Sequence, residues 1–234
     1  HRSQKYVAAL AETWTTADGQ TVDIKLRDGL KFSDGRALTS DDVIFSLKAI
    51  YDEKTDSPAF RDAMLINGKQ IEARRIDDVR LQMIFPEKVA AVENYLDNLG
   101  VLPKHILDRE LNSGKLAEAW KITADPATIA TSGAFTVESS TPGERVTLKK
   151  NPHYFKKDEN GVALPYLDKF VLEIIPDSNN AFASLGQGSL DMVDRIRGTD
   201  FAALTSDQTG PVRAFDLGPG LGTDHIWFNL NRSM

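Results

Sequence analysis

A chain of 234 residues, 41% hydrophobic and 26% charged, is sized for one or two globular domains. That balance excludes a disordered tail, a collagen-like fibre and a low-complexity linker, and a chain this long needs neither disulfides nor a structural metal to hold a core. A net charge of −6 disfavours nucleic acid as a partner, and the absence of cysteine excludes thiolate metal sites, cysteine nucleophiles and disulfides. No apolar run reaches the ~18 residues of a membrane-spanning helix. His1-Arg2-Ser3-Gln4-Lys5 leads into a mixed segment that lacks the form of a signal peptide.

Taken in chain order, Trp14 to Leu26 predicts a β-hairpin. Its turn is Asp18-Gly19, and Val22, Ile24 and Leu26 alternate with Asp23 and Lys25. A second turn follows at Asp34-Gly35. Thr39 then caps a helix whose first turn carries Asp41 and Asp42, and Val43, Leu47, Ile50 and Tyr51 share one helical face. Asp52 to Gly68 is polar and interrupted by Pro58, which predicts a loop holding at most one short helix. Ile71 to Phe85 predicts two strands turning at Asp77-Asp78, and Val89, Val92, Leu96 and Leu99 predict another helix. Leu102-Pro103-Lys104-His105 reads as a connector, with a domain boundary soon after it.

Leu116 to Trp120 predicts a helix. Phe135 and Val137, then Val146 and Leu148, predict paired strands around Pro142-Gly143. Phe170, Leu172 and Ile174 predict one more strand, and Asn179 to Leu185 a helix stopped by Gly186 and Gly188. Ile226, Phe228 and Leu230 alternate near the end. A strand that runs into Asn231-Arg232-Ser233-Met234 predicts a chain cut inside a larger protein. Hairpins and helices interleave without regular βαβα alternation, so the expected class is α+β.

The residues offer no catalytic constellation. His1, His105, His153 and His225 lie far apart, with no pair at metal-binding spacing. His105, following Pro103, reads as a capping or packing residue. Asp41-Asp42 and Asp77-Asp78 are adjacent pairs. Neighbours on a helix or a strand do not face one substrate, so a helix start and a hairpin turn account for them. Gly218-Pro219-Gly220-Leu221-Gly222 precedes a strand-like segment rather than a helix, which suits a turn and not a phosphate cradle. The basic pairs Arg74-Arg75, Lys149-Lys150 and Lys156-Lys157 have acidic neighbours and read as solvated faces.

An ordered series of segments resembles one family. It runs Leu10-Ala11-Glu12-Thr13-Trp14, Asp18-Gly19, then the stretch from Ile24 to Gly35, then Leu38-Thr39-Ser40-Asp41-Asp42-Val43. It continues through Leu102-Pro103-Lys104-His105-Ile106-Leu107, Ser132-Gly133-Ala134-Phe135 and Asn151-Pro152-His153-Tyr154-Phe155, and through Leu164 to Asp168 and Gly188 to Asp191. Together these resemble the extracellular solute-binding proteins of family 5, the oligopeptide, dipeptide and nickel type that serve ATP-binding-cassette importers. Ala134 stands where the family commonly has proline, and Phe155 where it commonly has tryptophan.

The resemblance implies a partial periplasmic-binding-protein fold of type II, cluster C. Residues 10–107 would form an extra α+β domain beside lobe one. Residues 108–234, with 1–9, would form the middle part of lobe one, and the second lobe would be missing. It further implies a non-enzymatic receptor without cofactor or metal, monomeric, and periplasmic or extracellular in a free or lipid-anchored form. Its partners would be a peptide or other small solute and the permease's transmembrane subunits. A hydrolase or a chaperone-like exported protein on a similar scaffold is the alternative. Solute would be held between two lobes that close about a hinge, and Ser132, Gly133, Trp227, Asn229 and Asn231 are the expected cleft or hinge positions.

Overall fold

The computed structural model describes residues 5–121, 123–193, 196–206 and 212–216. The chain forms two compact units, residues 1–174 and 175–234. In the first unit, β1 (Ala11–Thr15) and β2 (Thr21–Leu26) make the expected hairpin, and β3 (Glu72–Arg75) pairs with β4 (Arg80–Ile84). All pairs are antiparallel and the strand order is β1-β2-β4-β3. Asp18 shapes the hairpin turn by accepting the Gln20 and Thr21 N–H groups at 2.8 and 2.7 Å. Its carboxyl is held below the usual range, chiefly by those two hydrogen bonds.

The alternation in β2 has a packing consequence. Val22 lies opposite Met83 and Ile24 opposite Leu81, and each of these four side chains is at most 5% exposed. Helix α1 (Ser40–Tyr51) lays Val43, Leu47 and Ile50 onto this face. Each such side chain, fully buried, contributes about 1.5–3 kcal/mol of transfer free energy. Tyr51 closes the far end. Its hydroxyl donates to the Met64 carbonyl and accepts the Ile71 N–H, both at 2.9 Å. Burial of this phenol pushes its pKa up.

The loop after α1 holds one short helix, α2 (Pro58–Ala63), as expected, preceded by a 3₁₀ turn at Glu53–Thr55. Helix α3 (Glu93–Asn98) is shorter than the Val89–Leu99 periodicity predicts. Val89 N–H is engaged by the Gly19 carbonyl at 2.9 Å, which draws that residue to the hairpin turn and away from helix.

One expectation is corrected. The connector ends at Pro103, and His105 lies inside helix α4 (Lys104–Asn112). Leu107 and Leu111, one helical turn apart, pack on Phe45 and Ala49 of α1 as a second, smaller core. Helix α1 is therefore apolar on two sides, one for the sheet and one for α4. Helix α5 (Leu116–Ala119) follows where predicted.

A second antiparallel sheet, in order β5-β6-β7, comprises Phe135–Thr141, Arg145–Lys150 and Lys169–Glu173. Ion pairs cross its surface, Arg145 of β6 to Glu173 of the adjacent β7 and Lys169 of β7 over β6 to Glu138 of β5, both at 2.7 Å. In the second unit, α6 (Ser178–Gly186) is capped by the Asp177 side chain, which accepts the Asn180 N–H. Helix α7 (Gly198–Ser206), which the sequence pattern did not announce, is tied to α6 by Arg197. The guanidinium of Arg197 bonds both Asp200 oxygens and the Asn179 amide oxygen.

Candidate functional site

The signature segments between Leu10 and Asp168 are distant in sequence and all lie in the first unit, while Gly188 to Asp191 lies in the second. The Phe32–Arg36 loop is at the centre. Gly35 there has φ +87°, and an added Cβ would lie 3.3 Å from His153 Nε2. Only glycine fits this backbone and this approach without strain. Phe32 is fully buried and its ring lies 5.6 Å from that of His105. Asp34 Oδ1 accepts the Arg36 N–H at 3.0 Å, and its Oδ2 lies 2.6 Å from His105 Nε2. Burial alone would raise the Asp34 pKa. The hydrogen bond and charge of His105, with the Arg36 N–H, outweigh it and hold the carboxyl below its ordinary value. His105 thus packs on Phe32, one of the two roles read from its position after Pro103, and it also pairs with Asp34, which that position did not suggest.

Ser33 extends the junction toward the second sheet. Its N–H donates to the Thr131 carbonyl at 2.8 Å, and its hydroxyl accepts the Thr131 N–H at 3.1 Å. Thr131 opens the turn that carries Ser132 and Gly133, two of the expected site residues. Ser132 is half-buried and Gly133 exposed.

This turn is fixed by Asn151, which is 1% exposed. Asn151 Nδ2 donates to the Gly133 carbonyl at 2.8 Å and to the Thr131 carbonyl at 3.4 Å. Its own N–H donates to the Ala134 carbonyl at 2.9 Å, and its Oδ1 accepts the His153 N–H at 2.9 Å. Both ends of the amide are satisfied, which a buried amide requires. The sequence drew attention to the Asn151-Pro152 segment but gave Asn151 no role. Its signal is an asparagine that opens a turn just past a strand, where Asx geometry is common.

Asp42 performs a similar joining task. Its Oδ2 accepts the Thr39 N–H at 2.8 Å, the return half of a capping box, and its Oδ1 accepts the Lys104 N–H at 3.0 Å. Ser46 accepts the Leu102 N–H at 2.7 Å and donates to the Asp42 carbonyl at 2.6 Å. The adjacent acidic pairs therefore serve the helix start and, at Asp77, the hairpin turn, where Asp77 accepts from Val79, Arg80 and the Arg80 side chain. Arg74 and Arg75 are ion-paired with Glu72, Asp41 and Asp78 on the surface.

The arrangement is a set of saturated hydrogen bonds around a rigid turn. Among the described residues no group of three or more His, Asp or Glu side chains could hold a metal, and no helix is long and apolar enough to cross a membrane. Trp227, Asn229 and Asn231, and the glycine-rich run at 218–222, lie outside the described residues.

The solved neighbours of this α+β scaffold are type II periplasmic-binding-protein folds. The chain belongs to the bacterial extracellular solute-binding proteins, family 5, whose middle-region model matches residues 5–234. It is 32% identical to the Deinococcus radiodurans protein named "Probable ABC transporter-binding protein", over 97% of this chain and 40% of that one. It is 28% identical to the oligopeptide-binding protein AppA of Bacillus subtilis, over 82% of this chain and 33% of that one. The crystal structure of the substrate binding protein CtaP from Listeria monocytogenes superposes with a TM-score of 0.64 at 30% identity, over 78% of this chain and 35% of that one. The Bacillus subtilis AppA structure, in complex with a nonapeptide, gives 0.61 at 28% identity, over 78% and 34%. The chain therefore spans 40% or less of the length of these relatives.

Proposed function

We propose that this chain is part of the solute-binding receptor of an ATP-binding-cassette importer. The receptor captures peptides, or a related small solute, in a cleft between two lobes and delivers them to the permease. The observation that carries this reading is the family match over residues 5–234. The nonapeptide complex of the Bacillus subtilis relative favours peptide as the solute class. An extended peptide offers main-chain groups to a binding wall, and hydrated side-chain pockets tolerate varied sequences.

In this reading residues 10–107 are the extra domain beside lobe one and residues 108–234, with 1–9, the middle part of lobe one. Ser132 and Gly133 contribute to the solute-facing wall, and Trp227, Asn229 and Asn231 complete it near the hinge. The receptor carries out no chemistry on its solute. It acts as a monomer in the periplasm or outside the cell, free or lipid-anchored, and meets the transmembrane subunits of the permease.

Native mass spectrometry of the longer protein containing this sequence, purified gently, tests the proposal. Retained mass matching short peptides, released by denaturation, is the expected result. A protein that carries no solute and binds none from peptide mixtures, while turning over a peptide or ester substrate, overturns it.

A further inference from the structure

A cavity of about 270 Å³ opens beneath the first strand, separate from the Ser132–Gly133 turn. Its floor is the apolar core, where Met83 and Leu26 are 0% and 3% exposed. Leu96, Leu99 and Val101 form one side. An apolar cavity of about 150 Å³ already admits benzene, so this one takes a ring with a substituent.

The rim is chemically one-sided. Glu93 and Asp97 both line the cavity, one helical turn apart on α3, and no described lysine, arginine or histidine lines it. Two aromatic side chains, Tyr6 and Trp14, also line it. Both rings are anchored at their polar ends. Trp14 Nε1 donates to Glu93 Oε1 at 3.0 Å, and the Tyr6 hydroxyl donates to Asn94. The Trp14 N–H, the largest influence on Glu93, holds its carboxyl below the ordinary value, so it is ionised at neutral pH. Two carboxylates at helical i, i+4 spacing repel each other, and a bound cation relieves that repulsion. Aromatic faces beside carboxylates over an apolar floor are the chemistry that recognises an organic ammonium ion.

We propose that this cavity binds a small organic cation with an apolar body, an amine or quaternary ammonium compound, at a site that includes neither Ser132 nor Gly133. The ring or alkyl group enters between Leu96 and Val101, and the ammonium sits at the rim between the carboxylates and the two aromatic rings. The proposal is independent of the transport reading, because every group it uses lies in residues 6–101.

The test is titration of the full chain with benzylammonium, followed by methyl NMR, beside neutral benzyl alcohol and anionic benzoate of similar size. Benzylammonium is expected to bind with a Kd of about 1 mM or tighter and about tenfold more tightly than the alcohol. Nuclear Overhauser contacts are expected from its ring to the Leu96 and Val101 methyl groups. The double variant Glu93→Gln with Asp97→Asn is expected to remove the preference for the cation while leaving the fold unchanged by circular dichroism. Val101→Phe, which fills the cavity, is expected to abolish binding of both probes; should it fail to fold, the Overhauser contacts in the unaltered chain locate the site. Equal affinity for benzylammonium and benzyl alcohol, cation binding without contacts to Leu96 or Val101, or no binding of benzylammonium would each overturn the proposal.

Discussion

Asn151 Nδ2 donates to the Gly133 carbonyl at 2.8 Å, so a side chain that follows β6 fixes the turn that precedes β5. Strand pairing already places Phe135 opposite Lys150. The amide extends that pairing by one more rung, past the point where the backbone ladder ends. Together with the Asn151 backbone N–H, it holds three carbonyls, those of Thr131, Gly133 and Ala134, in one geometry. The solute-facing wall proposed above would draw on that rigidity, because a loop that must be ordered on binding loses affinity to the ordering cost.

Removing this clamp should be costly. Asn151→Ala strips two donors and one acceptor from a buried position and leaves the Gly133 carbonyl without this partner. With about 1–3 kcal/mol for each buried group left unsatisfied, the variant should lose about 2–4 kcal/mol, read from urea unfolding. Asn151→Asp should lose a similar amount, since it keeps the acceptor for His153 N–H but turns a carboxylate toward carbonyl oxygens. Stability within 0.5 kcal/mol of the parent, roughly the scale of an inert surface change, would contradict the clamp role.

Gly35 should resist substitution for two separable reasons. Its φ of +87° disfavours any side chain, and the Cβ would crowd His153 Nε2 at 3.3 Å. Gly35→Ala should cost about 1–2 kcal/mol from the backbone alone. In a double-mutant cycle, His153→Ala should recover only the part due to crowding. Complete recovery would assign the whole penalty to His153 and none to the backbone.

The Asp42 carboxylate stitches two helices, and its loss should be felt in both. Asp42→Ala removes the acceptor for Thr39 N–H and the acceptor for Lys104 N–H. A cap is worth about 0.5–2 kcal/mol, and the second buried bond adds a similar amount, so about 2–4 kcal/mol is expected. Hydrogen exchange should rise at the first turns of α1 and α4 together. Faster exchange in α1 alone would show that Lys104 does not depend on Asp42.

Acid should act through the Asp34–His105 pair. The folded state holds the Asp34 carboxyl below its ordinary value of 3.8. A depressed carboxyl contributes stability that is fully present above the unfolded pKa and is lost as pH falls through the folded pKa. The stability difference between the parent and Asp34→Asn should therefore be widest above about pH 4 and should narrow as the pH drops below it. Urea midpoints of both proteins at pH 5.5 and near pH 3 (chosen at about one to two units either side of that range) check it. A difference that stays constant across this window would show that the pair does not titrate with folding.

Local chemistry alone settled much of this protein. The Asp18-Gly19 hairpin, the Thr39-capped helix, the Asp77-Asp78 turn and the strands around Pro142-Gly143 were legible because each depends on residues within a few positions of one another. So was the ordered motif series, which agrees with the family match. Helix α4 was not legible, because its start is capped by Asp42, 62 residues away, and its apolar face is two leucines that acquire meaning only against Phe45 and Ala49. Val89 left its helical pattern for the Gly19 carbonyl, 70 residues earlier in the chain, for the same reason. Of the expected site, the sequence marked Ser132 and Gly133, while only the tertiary structure revealed Asn151 as the residue that holds them. Periodicity and turn chemistry report what a residue meets along its own segment. A buried hydrogen bond between distant segments is decided by the packing that brings them together, and no local pattern encodes its partner.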